Sequence, residues 1–147
     1  RRMVLVHDDA DDVLQNTFIK AWTGLENFRG DSKLSTWLYR IAVNESLNFL
    51  ERHRKTQTSI DSEDAFGQEI ANTLQSDPYF DGDEVELQLQ QAIALLPEKQ
   101  RAVFNMKYFQ EMKYEEMSVV LGTSVGALKA SYHHAVKKIS DFFKLHD

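Results

Sequence analysis

Residues 28–55 combine aromatic rings with positive charges in one block, FRGDSKLSTWLYRIAVNESLNFLERHRK. Its aromatic and basic side chains are Phe28, Arg29, Lys33, Trp37, Tyr39, Arg40, Phe49, Arg52, Arg54 and Lys55. Such a set suits single-stranded nucleic acid, because bases stack on rings while cations follow the backbone, at roughly 1–3 kcal/mol per stacked base. Asn44 and Asn48 lie four apart on one helix face, where their amides can read the edge of a flipped base. The alternative is that Trp37 and Tyr39 are core residues and that the basic run is a solvated helix end.

A second candidate site is a short helix, a Gly-containing turn and a longer helix near the C-terminus. This order is typical of a helix-turn-helix. Apolar residues are spaced for a small core at Met117, Val120, Leu121, Val125 and Leu128, and the outward face of the last helix offers Ser124, Lys129, Ser131, Tyr132, His133, Lys137 and Lys138. Such a helix can enter a major groove, where its side chains reach base edges and phosphates. The alternative is an ordinary helical hairpin with a solvated face.

Four acidic residues, Asp8, Asp9, Asp11 and Asp12, open a third stretch, DDADDVLQNTFIKAW. They suit a helix N-terminus because they complement the helix dipole. The stretch is either a well-capped amphipathic helix or a docking face for a basic partner, with Asp12, Gln15 and Phe18 near one side.

Catalytic and metal-binding motifs are not evident. The sequence has no nucleophile elbow, Gly-rich phosphate loop, HExxH motif or calcium loop. His133 and His134 are adjacent and point to different helix faces, so they cannot share a metal. We therefore expect neither an enzyme nor a cofactor.

These candidate sites require helices. Apolar periodicity predicts helices over 9–25 and 34–54, with apolar residues recurring at Val13, Phe18, Ala21, Trp22 and Leu25 in the first and a buried stripe of Trp37, Leu38, Ile41, Leu47 and Leu50 in the second. Further helices are predicted over 84–95, 98–110, 114–121 and 125–145, with a turn at Gly122-Thr123-Ser124. The intervening segment lacks periodicity and is predicted to be an extended or partly disordered linker. The expected fold is all-α, with small helical domains over 1–55 and 84–147 joined by an acidic linker over 56–83.

The charge distribution supports this division. The chain of 147 residues has a net charge of −6, yet residues 56–98 contain ten acidic residues and no Lys or Arg. Residues 28–55 hold six basic and three acidic residues, and residues 99–147 hold eight basic and five acidic ones. Local basic faces can bind DNA because screening confines each field to about 8–10 Å. The absence of cysteine, of a signal-peptide pattern and of a long apolar run predicts a cytoplasmic protein without membrane insertion.

Two blocks resemble a known family. DDADDVLQNTFIKAW with ENFRGDSKLSTWLYRIAVNESLNFL resembles region 2 of the extracytoplasmic-function (ECF) group of sigma-70 factors, and LPEKQRAVFNMKYFQEMKYEEMSVVLGTSVGALKASYHHAVKKI resembles region 4. Together they cover about 110 residues. The resemblance implies a transcription initiation factor that recruits core RNA polymerase to promoters. The FRG…TWLYRIAxN block is the more specific of the two, because many regulators share a region 4-like pattern.

The resemblance assigns roles to individual residues. Region 2 binds the clamp helices of polymerase through the helix of Asp12, Gln15 and Phe18. The −10 element is melted and captured by Phe28, Arg29, Lys33, Ser35, Thr36, Trp37, Arg40, Asn44 and Asn48. Region 4 docks on the polymerase flap and reads the −35 element through Ser124, Val125, Gly126, Lys129, Ala130, Tyr132, His133 and Lys137. The family's linker threads the active-site cleft and the RNA exit channel, a basic path that suits an acidic segment.

The chain departs from the family pattern in two ways. Relatives carry one or two further helices before the acidic helix, so region 2 as given is expected to lack its N-terminal helix. The recognition helix is also weakly basic, which predicts few phosphate contacts and weak −35 recognition. We hypothesise that the chain relies on another DNA-bound factor for recruitment, and we expect an anti-sigma factor among its partners. The alternative function is a stand-alone helix-turn-helix regulator that binds duplex DNA as a dimer.

Overall fold

The computed structural model describes residues 1–56 and 63–146, including all of their side chains except those of 63–66. Within these residues the chain forms seven α-helices and no strand. They are α1 (His7–Gly24), α2 (Leu34–Thr56), α3 (Glu63–Thr73), α4 (Glu84–Ala94), α5 (Glu98–Phe104), α6 (Tyr114–Leu121) and α7 (Val125–His146). Short 3-10 turns follow α1 and α3, and a wider π-helical turn, Asn105–Phe109, extends α5. The all-α expectation is confirmed.

Helices α1 and α2 pack against each other. The first turn of α1 carries Asp8 and Asp9, which complement the dipole of the helix. Lys20 of α1 forms an ion pair with Glu45, a buried carboxylate of α2. A buried carboxylate needs such a partner, so this pair is one polar contact between the two helices.

The linker prediction is wrong for residues 63–76, which form α3 and a 3-10 turn. Ile70, Ala71 and Leu74 are buried in one cluster with Leu50 of α2 and Ala94 of α4. An isolated helix of this length is marginal in water, so burial of this apolar face stabilises it. Residues 57–62 of the predicted linker lie outside the described residues.

Gly67 brings α3 close to the C-terminal end of α4. A Cβ atom at this position would lie 2.7 Å from the carbonyl oxygen of Ala94, closer than van der Waals contact allows. Helix α4 itself begins with a capping box, in which Asp83 and Glu86 each accept a hydrogen bond from the other's backbone N–H. Glycine at position 67 is therefore a packing requirement of the α3–α4 contact.

The N-terminal and C-terminal helices share their hydrophobic cores. Val43 of α2 belongs to the cluster of Ala102, Met106, Met117 and Leu128, which come from the C-terminal helices. The two predicted domains therefore pack directly on each other in this structure. None of the described helices is both long enough and apolar enough to cross a membrane.

Candidate nucleic-acid interface

The exposed face of α2 carries a polar stripe, which we define as Arg40, Asn44 and Asn48. All three are exposed and follow one another at intervals of four residues. With a rise of about 1.5 Å per residue, the stripe extends about 12 Å along the helix. The prediction that the two asparagines share one face is confirmed, and the stripe presents hydrogen-bonding groups and a positive charge to solvent.

The aromatic residues at the N-terminal end of this stripe are partly committed to packing. The rings of Phe28 and Trp37 are tilted against each other with their centroids 5.3 Å apart. The indole of Trp37 also approaches Gly24, where an added Cβ would meet it at 3.4 Å. Both rings remain half-buried, so each is anchored in the α1–α2 junction and keeps an accessible part.

The remaining predicted −10 residues divide into exposed and covered ones. Arg29, Lys33 and Ser35 are exposed, and the ammonium of Lys33 lies 3.9 Å from the carboxylate of Glu116 in α6. Thr36 is only 4% exposed. It lies on the same face of α2 as Tyr39 and Val43, which pack towards α5 and α6. Thr36 therefore cannot contact DNA in this arrangement.

Helices α6 and α7 form the predicted helix-turn-helix. Gly122 ends α6 in the left-handed conformation, with φ of 64°, and its N–H donates to the carbonyl of Ser118. Ser124 then caps α7 by accepting a hydrogen bond from the N–H of Ala127 at 3.3 Å. Met117 and Leu128 are buried between the two helices. The turn is therefore built from a glycine that tolerates positive φ and a serine that satisfies the next helix start.

The outward face of α7 matches most of the predicted −35 set. Ser124, Gly126, Lys129, Ala130, His133 and Lys137 are exposed, and Val125 is partly exposed. Tyr132 instead packs inwards, with its ring 6.0 Å from that of Phe104. Burial raises the pKa of the Tyr132 hydroxyl, which agrees with this position. Only two lysines of the predicted set, Lys129 and Lys137, lie on the face.

Helix α1 carries a large exposed apolar patch next to its acidic start. Asp12 and Gln15 are exposed, as predicted for a docking face, and Phe18 is 65% exposed. The patch also contains Leu14, Ile19, Trp22 and Leu25, and Trp22 is 80% exposed. A patch of this kind is typical of an interaction surface. The apolar spacing in α1 predicts an amphipathic helix. It does not show which of the apolar residues face the core and which remain exposed.

Other parts of the predicted buried stripe in α2 are less buried than expected. Leu50 is buried, whereas Leu38 is exposed and Ile41 and Leu47 are half-buried. Among the described residues, no group of three or more His, Cys, Asp or Glu side chains is placed to hold a metal ion. The arrangement is that of a helical binding protein with a helix-turn-helix.

Comparison with known proteins identifies the family to which this helical protein belongs. The model of Sigma-70 region 2 matches residues 1–56, and that of Sigma-70 region 4 matches residues 86–139. The RNA polymerase sigma-H factor of Pseudomonas aeruginosa is 36% identical over 142 residues, covering 91% of this chain and 74% of that protein. The ECF RNA polymerase sigma-E factor of Escherichia coli K12 is 32% identical, covering 90% of this chain and 73% of that protein. The chain belongs to the sigma-70 family, in its ECF group.

Solved structures agree with this fold. The sigma factor RpoE of Bartonella quintana, in complex with the anti-sigma factor NepR, superposes with a TM-score of 0.69 at 21% identity, covering 99% of this chain and 88% of that chain. CnrH, in complex with the cytosolic domain of CnrY, superposes with a TM-score of 0.68 at 23% identity, covering 99% of this chain and 78% of that one. Both similarities concern the fold.

Proposed function

We propose that the chain is an ECF sigma factor that binds core RNA polymerase and directs it to promoters. The observation that carries this proposal is the combination, on one chain, of the polar α2 stripe and an exposed helix-turn-helix, in the order of regions 2 and 4. A stand-alone duplex-binding regulator is not favoured, because it leaves the α2 stripe and the α1 patch without a role. The role is one of binding rather than catalysis, and it is exercised in the cytoplasm, where polymerase acts.

Each surface has a proposed partner. The stripe of α2, with the accessible parts of Phe28 and Trp37, captures the melted −10 strand, because rings stack on bases and amides read their edges. The outward face of α7 enters the major groove at the −35 element. The acidic start and apolar patch of α1 dock on the clamp helices of polymerase, and region 4 docks on the flap. An anti-sigma factor is a further partner, as for the Bartonella quintana sigma factor of similar fold, which is bound by the anti-sigma factor NepR.

The limits of the two regions are part of the proposal. We place region 2 within residues 1–55 and region 4 within 84–147. The segment over 56–83 connects them and, on polymerase, follows a nucleic-acid path that its acidic side chains suit. Because α3 is docked on α2 and α4 in this structure, this segment changes its contacts when it takes that path.

Transcription in vitro with core polymerase tests the proposal. We expect discrete start sites on genomic fragments when the chain is added, and about a fivefold to 150-fold loss of transcripts with Asn44→Ala, since about 1–3 kcal/mol of base-edge recognition is removed. Ser140→Ala, which removes an exposed polar group outside the residues assigned to DNA, is the control and should leave transcription unchanged.

The outcomes separate the candidates. Stable co-elution with polymerase without initiation would indicate that a further factor is required. A chain that does not co-elute, and that elutes alone as a symmetric dimer, would contradict the sigma function and favour the stand-alone regulator.

A further inference from the structure

The basic end of α2 continues the polar stripe beyond the residues assigned to the −10 element. Arg52 follows Asn48 at the same interval of four residues, and it is exposed. Because an α-helix has about 3.6 residues per turn, each step of four residues also rotates by about 40°, so the stripe winds around α2. At a rise of about 1.5 Å per residue, Arg52 lies about 18 Å from Arg40 along the helix axis. The function proposed above leaves this guanidinium without a role.

Arg52 lies at a hollow between α1 and the C-terminal end of α2, which we call the α1–α2 hollow. The hollow has a volume of about 410 Å³ and is lined by Asp12, Gln15 and Asn16 of α1 and by Phe49, Arg52, His53 and Thr56 of α2. Within the described part of the chain, the side chains of Gln15, Asn16 and Arg52 form no hydrogen bond or ion pair. Their polar groups are therefore open to a ligand.

The hollow combines three kinds of group that recognise a nucleotide. The rings of Phe49 and His53 are stacked, with their centroids 5.5 Å apart, and both rings are half-buried. Bases stack on aromatic rings of this kind. The guanidinium of Arg52 matches the geometry of a phosphate group. The amides of Gln15 and Asn16 can form hydrogen bonds with the edge of a base.

The two sides of the hollow differ in charge. On the α1 side, Asp12 adds a carboxylate, which repels a phosphate but accepts hydrogen bonds from the amino group of a base. On the α2 side, Arg52 is the cation that continues the stripe. A nucleotide would therefore place its base towards α1 and its phosphate at Arg52. Carboxylate and amide oxygens favour adenine or cytosine, which carry a donating amino group, over thymine, which has none.

We propose that the α1–α2 hollow holds one nucleotide of the melted promoter strand, next to the bases captured along the stripe of α2. This inference rests on the proposed function of that stripe. Asn48 and Arg52 are about 6 Å apart along the helix axis, a distance that one or two nucleotides span at about 3.4 Å or more each. The strand therefore continues from the stripe into the hollow without leaving α2.

Arg52→Gln tests the phosphate contact. The complex of the full chain with core polymerase is titrated with a fluorescent single strand from the −10 region of a promoter that the transcription assay has mapped. We expect Arg52→Gln to weaken binding and to make the slope of log K against log salt less negative by about 0.7, as expected for one lost phosphate contact on a single strand. Lys144→Gln removes an exposed positive charge from the last turn of α7 and should leave the slope unchanged.

Asn16→Ala tests the base contact. Replacing each adenine or cytosine of the strand in turn by thymine locates the base that the hollow reads. We expect the wild-type complex to disfavour thymine at one such position and Asn16→Ala to reduce this preference about fivefold, the lower end of the range for one base contact. Asn16→Ala should leave the salt slope unchanged, and Arg52→Gln should leave the base preference unchanged. Each variant is thus a control for the other.

The possible results separate the hollow from the proposed function of the stripe. If the wild-type complex does not bind the strand, the −10 function of α2 has failed, and the nucleotide site fails with it. If the wild-type complex binds the strand and either variant behaves like it, the nucleotide site alone is overturned. Loss of co-elution with polymerase in either variant would assign these residues to the polymerase contact instead.

A free nucleotide is the other source of the same chemistry. Adenosine monophosphate is therefore titrated into the chain without polymerase or DNA. Binding that Arg52→Gln weakens, together with an unchanged salt slope for the strand, would assign the hollow to a free nucleotide and overturn its assignment to the promoter strand.

Discussion

Glu98 joins the C-terminal helices to α2 through an ion pair with Arg54. Its carboxylate is buried, lies at the first turn of α5 and accepts a hydrogen bond from Arg54. Helix N-termini favour negative charge, and a neighbouring guanidinium offsets part of the cost of burying a carboxylate. The N-terminus of α5 and the guanidinium of Arg54 both favour a negative charge at Glu98.

We expect Glu98→Gln to lower the free energy of unfolding by about 1–3 kcal/mol, because the charge-assisted bond between Arg54 and the buried side chain at position 98 becomes a weaker neutral one. Urea denaturation followed by circular dichroism measures the change. Glu115→Gln, in the exposed first turn of α6, makes the same chemical change and should cost less than about 0.5 kcal/mol. Equal effects of the two variants would show that the Arg54–Glu98 pair contributes little.

At the scale of single residues, the sequence predicts which side chains share a helix face better than it predicts which side chains are buried. Helical periodicity alone places Asn44 and Asn48 together, and the structure agrees. Thr36 and Tyr132 were predicted to face DNA, but Thr36 is covered where α2 packs on α5 and α6, and Tyr132 stacks on Phe104. The residues that cover them lie far away along the chain, so no local pattern reveals the covering.

At the scale of helices, α3 likewise depends on residues that are distant along the chain and that no local pattern reveals. Its polar composition and lack of apolar periodicity predict no stable helix, and its stability comes from docking Ile70, Ala71 and Leu74 onto α2 and α4. The helix-turn-helix, by contrast, is predicted with nearly its observed bounds. Its signals are local, namely a glycine with positive φ at Gly122 and a capping serine at Ser124.

Gly67 provides a test of the docking of α3. Gly67→Ala should lower the free energy of unfolding by about 1–3 kcal/mol, because the new methyl group overlaps the backbone carbonyl of Ala94 and forces the helices apart. Hydrogen exchange of the α3 amides should rise in the same variant. The lower stability and the faster exchange both follow from loss of the contact between α3 and α4.

The matched control is Gly126→Ala, also within a helix but with open space around the added Cβ. Alanine is the better helix former, so this variant should raise stability by up to about 1 kcal/mol. A stabilised Gly67→Ala variant would mean that α3 does not dock closely on α4.

At the scale of the whole molecule, charge is divided between surfaces that have different proposed partners. The net charge is −6, and the segment from 56 to 98 has no basic residue. Among the predicted −35 residues, only Lys129 and Lys137 carry full positive charges on the exposed face of α7. Two phosphate contacts give a weak and weakly salt-dependent interaction. This deficit is the physical basis for the hypothesis that another DNA-bound factor assists recruitment.

Adding one charge to α7 tests that hypothesis. In the complex of the full chain with core polymerase, Ala130→Lys should strengthen binding to a fragment that carries the −35 element. It should also make the slope of log K against log salt more negative by about 0.9, as expected for one more phosphate contact. Ser140→Lys adds the same charge about 15 Å further along α7, at the rise of 1.5 Å per residue, and should leave the slope unchanged.

Footprinting of the wild-type complex tests the same hypothesis. Weak −35 protection that becomes strong with Ala130→Lys would show that missing phosphate contacts limit recognition, so that a recruiting factor supplies affinity which α7 itself lacks. Strong, sequence-specific protection by the wild-type chain would contradict the hypothesis. Recognition would then have to come from base contacts of the exposed α7 face, with His133 as the first residue to substitute.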